Sequence, residues 1–362
     1  MSDVAALEAV VIRQRQRETR RWQFLMIFIV LIGCSILFDI ATGPSLLSVS
    51  DVAHALFQPG SAEPMTKTIV YEMRLPIALM ALVVGAALGL GGVQMQTLLD
   101  NPLASPFTLG LAAAAGFGAA LALVTSSSLG VFSLLAIPLG AFIFSMLAAS
   151  LLFGLALMRR INSQTIILAG IALLFLFQSL LSLLQFISSP ELNQQIVFWL
   201  FGSLMRTTWD SLLITSVVTL VCAVLLYRDA WKLTCLRLGE ARALSLGVNI
   251  NRLRIKTLVL VALMTSTAIS FVGVIGFIGL VAPHIGRMLI GEDQRYLIPL
   301  SALCGALLLS VSSVISKSII PGALFPIGIV TAIIGVPFFI WLILGRGRHL
   351  IVTGKQIGRA HV

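Results

Sequence analysis

Long apolar runs alternate with short polar breaks along this chain. A helix needs about 20 apolar residues to cross the hydrocarbon core of a bilayer. Ten runs of roughly that length stand out, near 22–41, 76–98, 107–125, 131–158, 165–187, 210–227, 257–275, 276–290, 297–316 and 326–345. The stretch 257–290 also reads as one long span. These lengths suit helices rather than barrel strands, and lipid admits only those two. The expected fold class is an all-α membrane protein, a single bundle of about ten transmembrane helices over 22–345.

The most basic break is 228–256, RDAWKLTCLRLGEARALSLGVNINRLRIK, which carries seven Lys and Arg residues. A membrane-embedded chain that keeps one long charged segment on one face presents it to something soluble. The segment therefore points to a membrane subunit driven or gated by a cytoplasmic partner.

Composition agrees with the class. The chain is 58% hydrophobic and 10% charged, against about 25% charged in an ordinary soluble domain. Its net charge of +10 raises the question of nucleic acid, and the distribution of that charge answers it. With the N-terminus inside and ten spans, the cytoplasmic segments are 1–21, 99–106, 159–164, 228–256, 287–296 and the tail from 346. They hold 20 of the 24 Lys and Arg residues; Lys67, Arg74, Arg206 and Lys317 remain for the other face. That asymmetry follows the positive-inside rule and places both termini in the cytoplasm. The excess is topogenic, with added attraction to anionic membrane lipid, and nucleic acid is not an expected partner.

The basic N-terminal segment 1–21 precedes WQFLMIFIVLIGCSILFDIA, too long for a signal-peptide core and lacking a clean small-x-small cleavage site. It is read as a retained first span. The tail 346–362 ends in IVTGKQIGRAHV, which fits no span or partner surface and is read as an appendage. Cys34, Cys222, Cys235 and Cys304 are scattered without CxxC spacing, so neither a disulfide framework nor a metal site is expected.

Between Gly85 and Gly92 the chain reads GAALGLGG, setting Gly85 and Gly89 four apart on one helix face with Gly92 close by. Small residues let helix backbones approach in a bilayer. A second cluster, FVGVIGFIGL, covers 271–280. Tight packing and helix sliding during transport are both open readings. Arg74, just before Pro76, and Lys317, at the end of the ninth span, break the charge pattern. Each reads either as an anchor snorkelling to headgroups or as part of a cationic socket for an acidic external partner. Pro76 suits the first turn of a helix.

The chain contains no G-x-x-x-x-G-K-[ST] phosphate loop; Gly354-Lys355 is followed by Gln356. A secondary transporter commonly places a charge at mid-bilayer, and here the span interiors hold almost none, Asp39 lying near the outer end of its span. His284 is the one histidine within a span, without partner spacing for an intramembrane enzyme. The in-span amides are Gln94 and Gln96 in the second span and Gln178 and Gln185 in the fifth, the latter two seven apart on one helix face.

VVGAALGLGGVQMQTLLDNPLASPFTLGL (83–111), ILAGIAL (167–173), IVFWLFGSL (196–204), LGEARALSLGV (238–248), GFIGLVAPHIGRMLIGEDQRYLIPLSALCGALLL (276–309) and PIGIVTAIIGVPFFIWLIL (326–344) together resemble the FecCD family of permeases. These are the membrane subunits of type II ABC importers for iron–siderophores, haem and cobalamin. The blocks run in the family's order from about Met73 to Gly345, and several independent blocks in order are specific.

The resemblance implies a homodimer of ten-span subunits with the substrate path along the dimer axis. Two copies of a separate ATP-binding cassette ATPase would dock beneath, holding ATP and Mg, so this chain carries no cofactor and no ATPase activity of its own. A periplasmic binding protein would deliver cargo across the bacterial inner membrane. Gly239, Glu240, Ala241, Arg242 and Gly247 fall where the family has its ATPase-coupling helix. Arg74 and Lys317 fall where it has binding-protein docking arginines, and Gln178 and Gln185 lie on the pathway-lining fifth helix; hydrogen bonding between helices is the other reading of the two glutamines. Two departures touch the docking positions: Ile77 follows the proline where Arg is frequent, and Ser312 and Ser313 precede a Lys at 317 where the family has Arg, whose bidentate fork Lys lacks. Ferric siderophore is the expected cargo, with haem and cobalamin the alternatives.

Overall fold

A computed structural model describes residues 2–43, 47–58, 60, 63–126, 133–158, 163–319 and 325–357. Residues 131–132, expected to open the fourth span, Arg159 and Arg160, expected among the basic cytoplasmic residues, and 358–362 of the tail lie outside the described residues. Among the described residues every regular element is helical. The chain opens with α1 (Ser2–Ala41), α2 (Val49–Phe57) and α3 (Pro64–Thr68), the last running through a π-helical turn (Ile69–Arg74) into α4 (Leu75–Leu98). Next come α5 (Leu111–Thr125), α6 (Ser133–Met158), α7 (Ser163–Ile187), α8 (Pro190–Leu200) and α9 (Trp209–Tyr227). The remainder is α10 (Ala230–Leu236), α11 (Glu240–Ser245), α12 (Ile250–Val272), α13 (Ile278–Ile290), α14 (Gln294–Ile319) and α15 (Ile327–Ile357).

Seven helices are long and apolar enough to cross a membrane, and shorter apolar helices cover Leu111–Thr125, Ile278–Ile290 and Ile327–Trp341. Each matches one of the ten expected runs. The terminal helices run past the expected span edges, α1 back to Ser2 and α15 on to Ile357.

α4 is the axis of the bundle, buried along nearly its whole length. Its glycines explain how. A Cβ on Gly85 would lie 2.3 Å from the Gly305 carbonyl oxygen, one on Gly89 2.2 Å from that of Ser301, and one on Gly92 1.8 Å from that of Gly279. α14 packs on the first two and α13 on the third, closer than any side chain permits. By contrast α7 and α9 turn large apolar side chains outward, among them Phe175, Phe186, Leu213 and Leu220.

The structure refines two span boundaries. The second span does not begin at Pro76. The helical run starts at Pro64 and reaches Leu98, and the π-helical turn just before Leu75 loosens the ladder where the proline ring would crowd the preceding turn. The 257–290 stretch is two helices, and the break at 273–277 brackets the expected boundary between 275 and 276. Gly273 at φ 77° ends α12, and Phe277, a non-glycine residue at φ 66°, opens α13. α13 has 13 residues, about 20 Å of helix, so it cannot span a ~30 Å core alone. The extended segment before it supplies part of the crossing, and the Ser203 amide donates to the Val272 carbonyl at 2.8 Å to brace the break. Non-helical backbone at such depth is tolerated only where protein surrounds it. The short helices α2 and α8 lie outside the expected spans; both start on side-chain caps, Ser48 and Ser189.

Candidate transport machinery

α11 and the residues around it gather at the end of the bundle that carries most of the basic residues. Gly239 takes φ 102° and ψ 151°, a region nearly closed to other residues, and Gly247 takes φ 79°. Between these hinges α11 buries Ala243 alone. Ala241 and Arg242 are exposed, and Leu244 and Leu246 are each 59% exposed. An amphipathic helix whose apolar residues point away from its own core is shaped to be covered by something else.

Glu240 is engaged within the chain as well as exposed. Its Oε1 accepts from Arg254 Nη2 at 2.8 Å, and Arg254 is nearly buried in α12. The carboxylate itself stays 60% exposed while it neutralises a guanidinium that packing has desolvated. Arg242 and the two leucines share the outward face with it.

Ion pairs surround α11. Lys232 and Lys256 both bind Asp229. Burial alone would raise the Asp229 carboxyl, but hydrogen bonds and charge from the two lysines hold it below its usual range. Arg21 reaches Asp293 at 3.0 Å. Arg237 binds Asp100 and, at 3.2 Å, Glu292. A cavity of about 360 Å³ opens at the far end of the bundle and one of about 550 Å³ beside α11, the latter lined by Thr97, Asp100, Gln164, Arg237, Gly239 and Glu240.

The far end holds Arg74 and Lys317, both engaged within the chain. Arg74 is 6% exposed and donates to the carbonyls of Ile40 and Ala41 at 2.7 and 2.9 Å. Lys317 donates to the Asp39 carboxylate at 2.8 Å, and Ser313 donates to the same oxygen. Both cations fasten the end of α1 to the bundle, where desolvation favours internal partners over water. The cations that face outward at this end are Lys67 and Arg206, and Arg206 lines the far-end cavity with Gln195, Ser203, Ser316 and Lys317.

On α7 the buried stripe is Ile166, Gly170, Phe177 and Leu181. Gln178 is exposed and Gln185 half-buried on its flank, so their amides face away from this subunit's core. His284 stacks edge-on to Phe338 at 6.5 Å. Among the described residues no group of His, Cys, Asp or Glu is arranged to hold a metal ion.

Residues 27–345 match the model of the FecCD transport family. The chain belongs to that family. The hemin transport system permease of Yersinia pestis is 38% identical over 274 residues, 75% of this chain and 82% of that one. The vitamin B12 import system permease of Vibrio cholerae is 33% identical over 337 residues, 92% of this chain and 97% of that one. A solved inward-facing ABC transporter described as of metal-chelate type superposes with a TM-score of 0.80 at 32% identity, covering 89% of this chain and 99% of that chain. This FecCD permease is thus a multi-pass ABC importer subunit with the type II permease fold.

Sequence reasoning missed Asp39 as an ion-pair partner, the outward leucines of α11, and a set of polar residues around α13: Gln96, Pro283, Arg287 and Glu292. A proline inside an apolar helix and a glutamine in a glycine-rich one were the available signals.

Proposed function

We propose that this permease forms a homodimer that imports a ferric siderophore, powered by two ATP-binding cassette ATPase subunits and fed by a periplasmic binding protein. The observation that carries the reading is α11: a short helix between two positive-φ glycines, with Arg242, Leu244 and Leu246 turned out of the bundle. Covering that face with an ATPase subunit would bury the leucines and let hydrolysis move the helix as a unit. ATP and Mg would reside in that partner. The basic end is then cytoplasmic, with both termini on the cytoplasmic side of the bacterial inner membrane.

A metal chelate as cargo is supported by the relatives, since hemin, vitamin B12 and the metal-chelate transporter share a metal held in an organic ligand. Gln178 and Gln185 on the outward flank of α7 offer neutral amides to a path shared with a second copy, where a bulky chelate meets few strong contacts. On the far face, Arg206 and Lys67 supply charge to an acidic binding protein, while Arg74 and Lys317 hold the rim in shape.

The test is uptake in proteoliposomes containing this chain and its co-purified ATPase, with ATP on one side and binding protein with labelled cargo on the other. Ferric siderophore, hemin and cobalamin are offered in parallel. Siderophore accumulation that needs both ATP and binding protein supports the reading. Uptake of hemin or cobalamin alone replaces the cargo, and uptake driven by a proton or sodium gradient without ATP refutes the mechanism.

A further inference from the structure

α13 contains Pro283. A proline has no N–H, so the carbonyl four residues earlier, that of Gly279, loses its helical donor. At membrane depth such a group needs a replacement. Gln96 of α4 provides it: its Nε2 lies 3.4 Å from the Gly279 oxygen and 3.4 Å from that of Leu280. One turn earlier, Gly92 lets α4 come this close, since a Cβ there would sit 1.8 Å from the Gly279 oxygen. The contact is therefore built by three residues on two helices.

The other end of the same amide is also engaged. Gln96 Oε1 accepts from Arg287 Nη1, which fixes which way the amide points. Arg287 Nε pairs with Glu292 at 3.3 Å, Glu292 pairs with Arg237 at 3.2 Å, and Arg237 pairs with Asp100. Side-chain exposure is 11% at Arg287, 45% at Glu292, 29% at Arg237 and 85% at Asp100. The chain of contacts thus starts inside the bundle and ends in solvent. Arg237 closes α10 two residues before the Gly239 hinge. At the inner end, Phe277 of the α13 head fills the space over Gly335 of α15, where an added Cβ would lie 2.4 Å from the Phe277 Cβ.

We infer that Gln96 and Arg287 are positioning residues for transport: they hold the proline-broken head of α13 and link it, through Glu292 and Arg237, to the hinge of α11. A displacement of α11 pulls on Arg237, and the buried end of the series carries it to α13 and the α15 wall. The inference rests on the importer reading for its functional consequence, and on geometry alone for the linkage.

Pro283 makes the test specific. In the reconstituted complex, Gln96→Leu lowers the cargo moved per ATP hydrolysed by about tenfold, within the usual range of coupling between sites. Pro283→Ala returns an N–H to the Gly279 carbonyl, so Gln96→Leu combined with Pro283→Ala recovers most of that loss. A glutamine that only filled space would gain nothing from the second change, and an unrecovered double variant overturns the proposal. The linkage is tested without ATPase or cargo by hydrogen–deuterium exchange of the whole chain in nanodiscs. Arg237→Ala, a change at the solvent end, raises exchange across 279–285. Unchanged exchange there overturns the linkage whatever the cargo. Raised exchange in a protein that moves no siderophore keeps the linkage and discards the cargo.

Discussion

Lys317 Nζ sits 2.8 Å from the carboxylate of Asp39, a side chain with no exposure to solvent. The two residues come from opposite ends of the chain and join α1 to α14 at the far end of the bundle. The second carboxylate oxygen, Oδ2, has no hydrogen-bond partner among the described residues, so Asp39 depends on Lys317 and Ser313 for compensation.

Lys317→Met should therefore leave a buried carboxylate unpaired and destabilise the protein by about 3–5 kcal/mol. Lys317→Met with Asp39→Asn should recover a large part of that loss, because both charges go together. Thermal unfolding in detergent reads both. If Lys317→Met melts like the wild type and only binding-protein docking suffers, the lysine is a docking residue after all.

The glycine contacts of α4 predict a graded series. Gly92→Ala and Gly89→Ala place a methyl group against backbone that cannot rotate away, and should cost at least ~1–3 kcal/mol each. Gly154 has nothing within 4 Å of an added Cβ, so Gly154→Ala should be neutral. Equal melting temperatures for Gly92→Ala and Gly154→Ala would contradict the packing.

The spans were legible because length and apolarity are local properties: a run such as 165–187 can be little else than a membrane helix. The α11 bracket was legible for the same reason, since Gly239 and Gly247 flank a short charged stretch in one sequence window. The break in 257–290 was legible near 275–276 but its ends were not, because the residues on both sides are equally apolar and contacts to Ser203 and Gly335 set them. Asp39 with Lys317, and Gln96 with Gly279, are separated by 278 and 183 residues. No pattern in a single sequence pairs residues so far apart. The inward turn of Arg74 was hidden likewise, because a charge reads as exposed until its buried partner is known.

Gly239 and Gly247 should not be equivalent. Neither has a neighbour within 4 Å of an added Cβ, so any effect of substitution is conformational. Gly247→Ala adopts a left-handed conformation at a cost of about 1 kcal/mol. Gly239→Ala must occupy a region almost reserved for glycine, at about 1–3 kcal/mol, and should shift α11 instead. The expected result is a greater loss of uptake per ATP for Gly239→Ala than for Gly247→Ala, with little change in melting temperature for either. The reverse order would show that α11 does not hinge at its N-terminal end.

Asp293 gives the basic end a defined acid sensitivity. It lies between α13 and α14, 2.9 Å from Arg295 and 3.0 Å from Arg21. Burial pushes its carboxyl up, but hydrogen bonds from Arg295 and the charges of Arg295 and Arg21 outweigh that, leaving it below the ordinary value of 3.8. A carboxyl with a depressed folded pKa stabilises fully above its unfolded value and loses that contribution as pH falls through the folded one. Asp293→Asn should therefore lower the melting temperature by a constant amount from neutral pH down to about pH 5, and the gap to wild type should close only below the ordinary carboxylate value. Added salt should narrow the gap modestly, since both arginines are partly exposed. A gap that vanishes already near pH 6 would mean that some other group, and not the ionised Asp293, holds α1 to this turn.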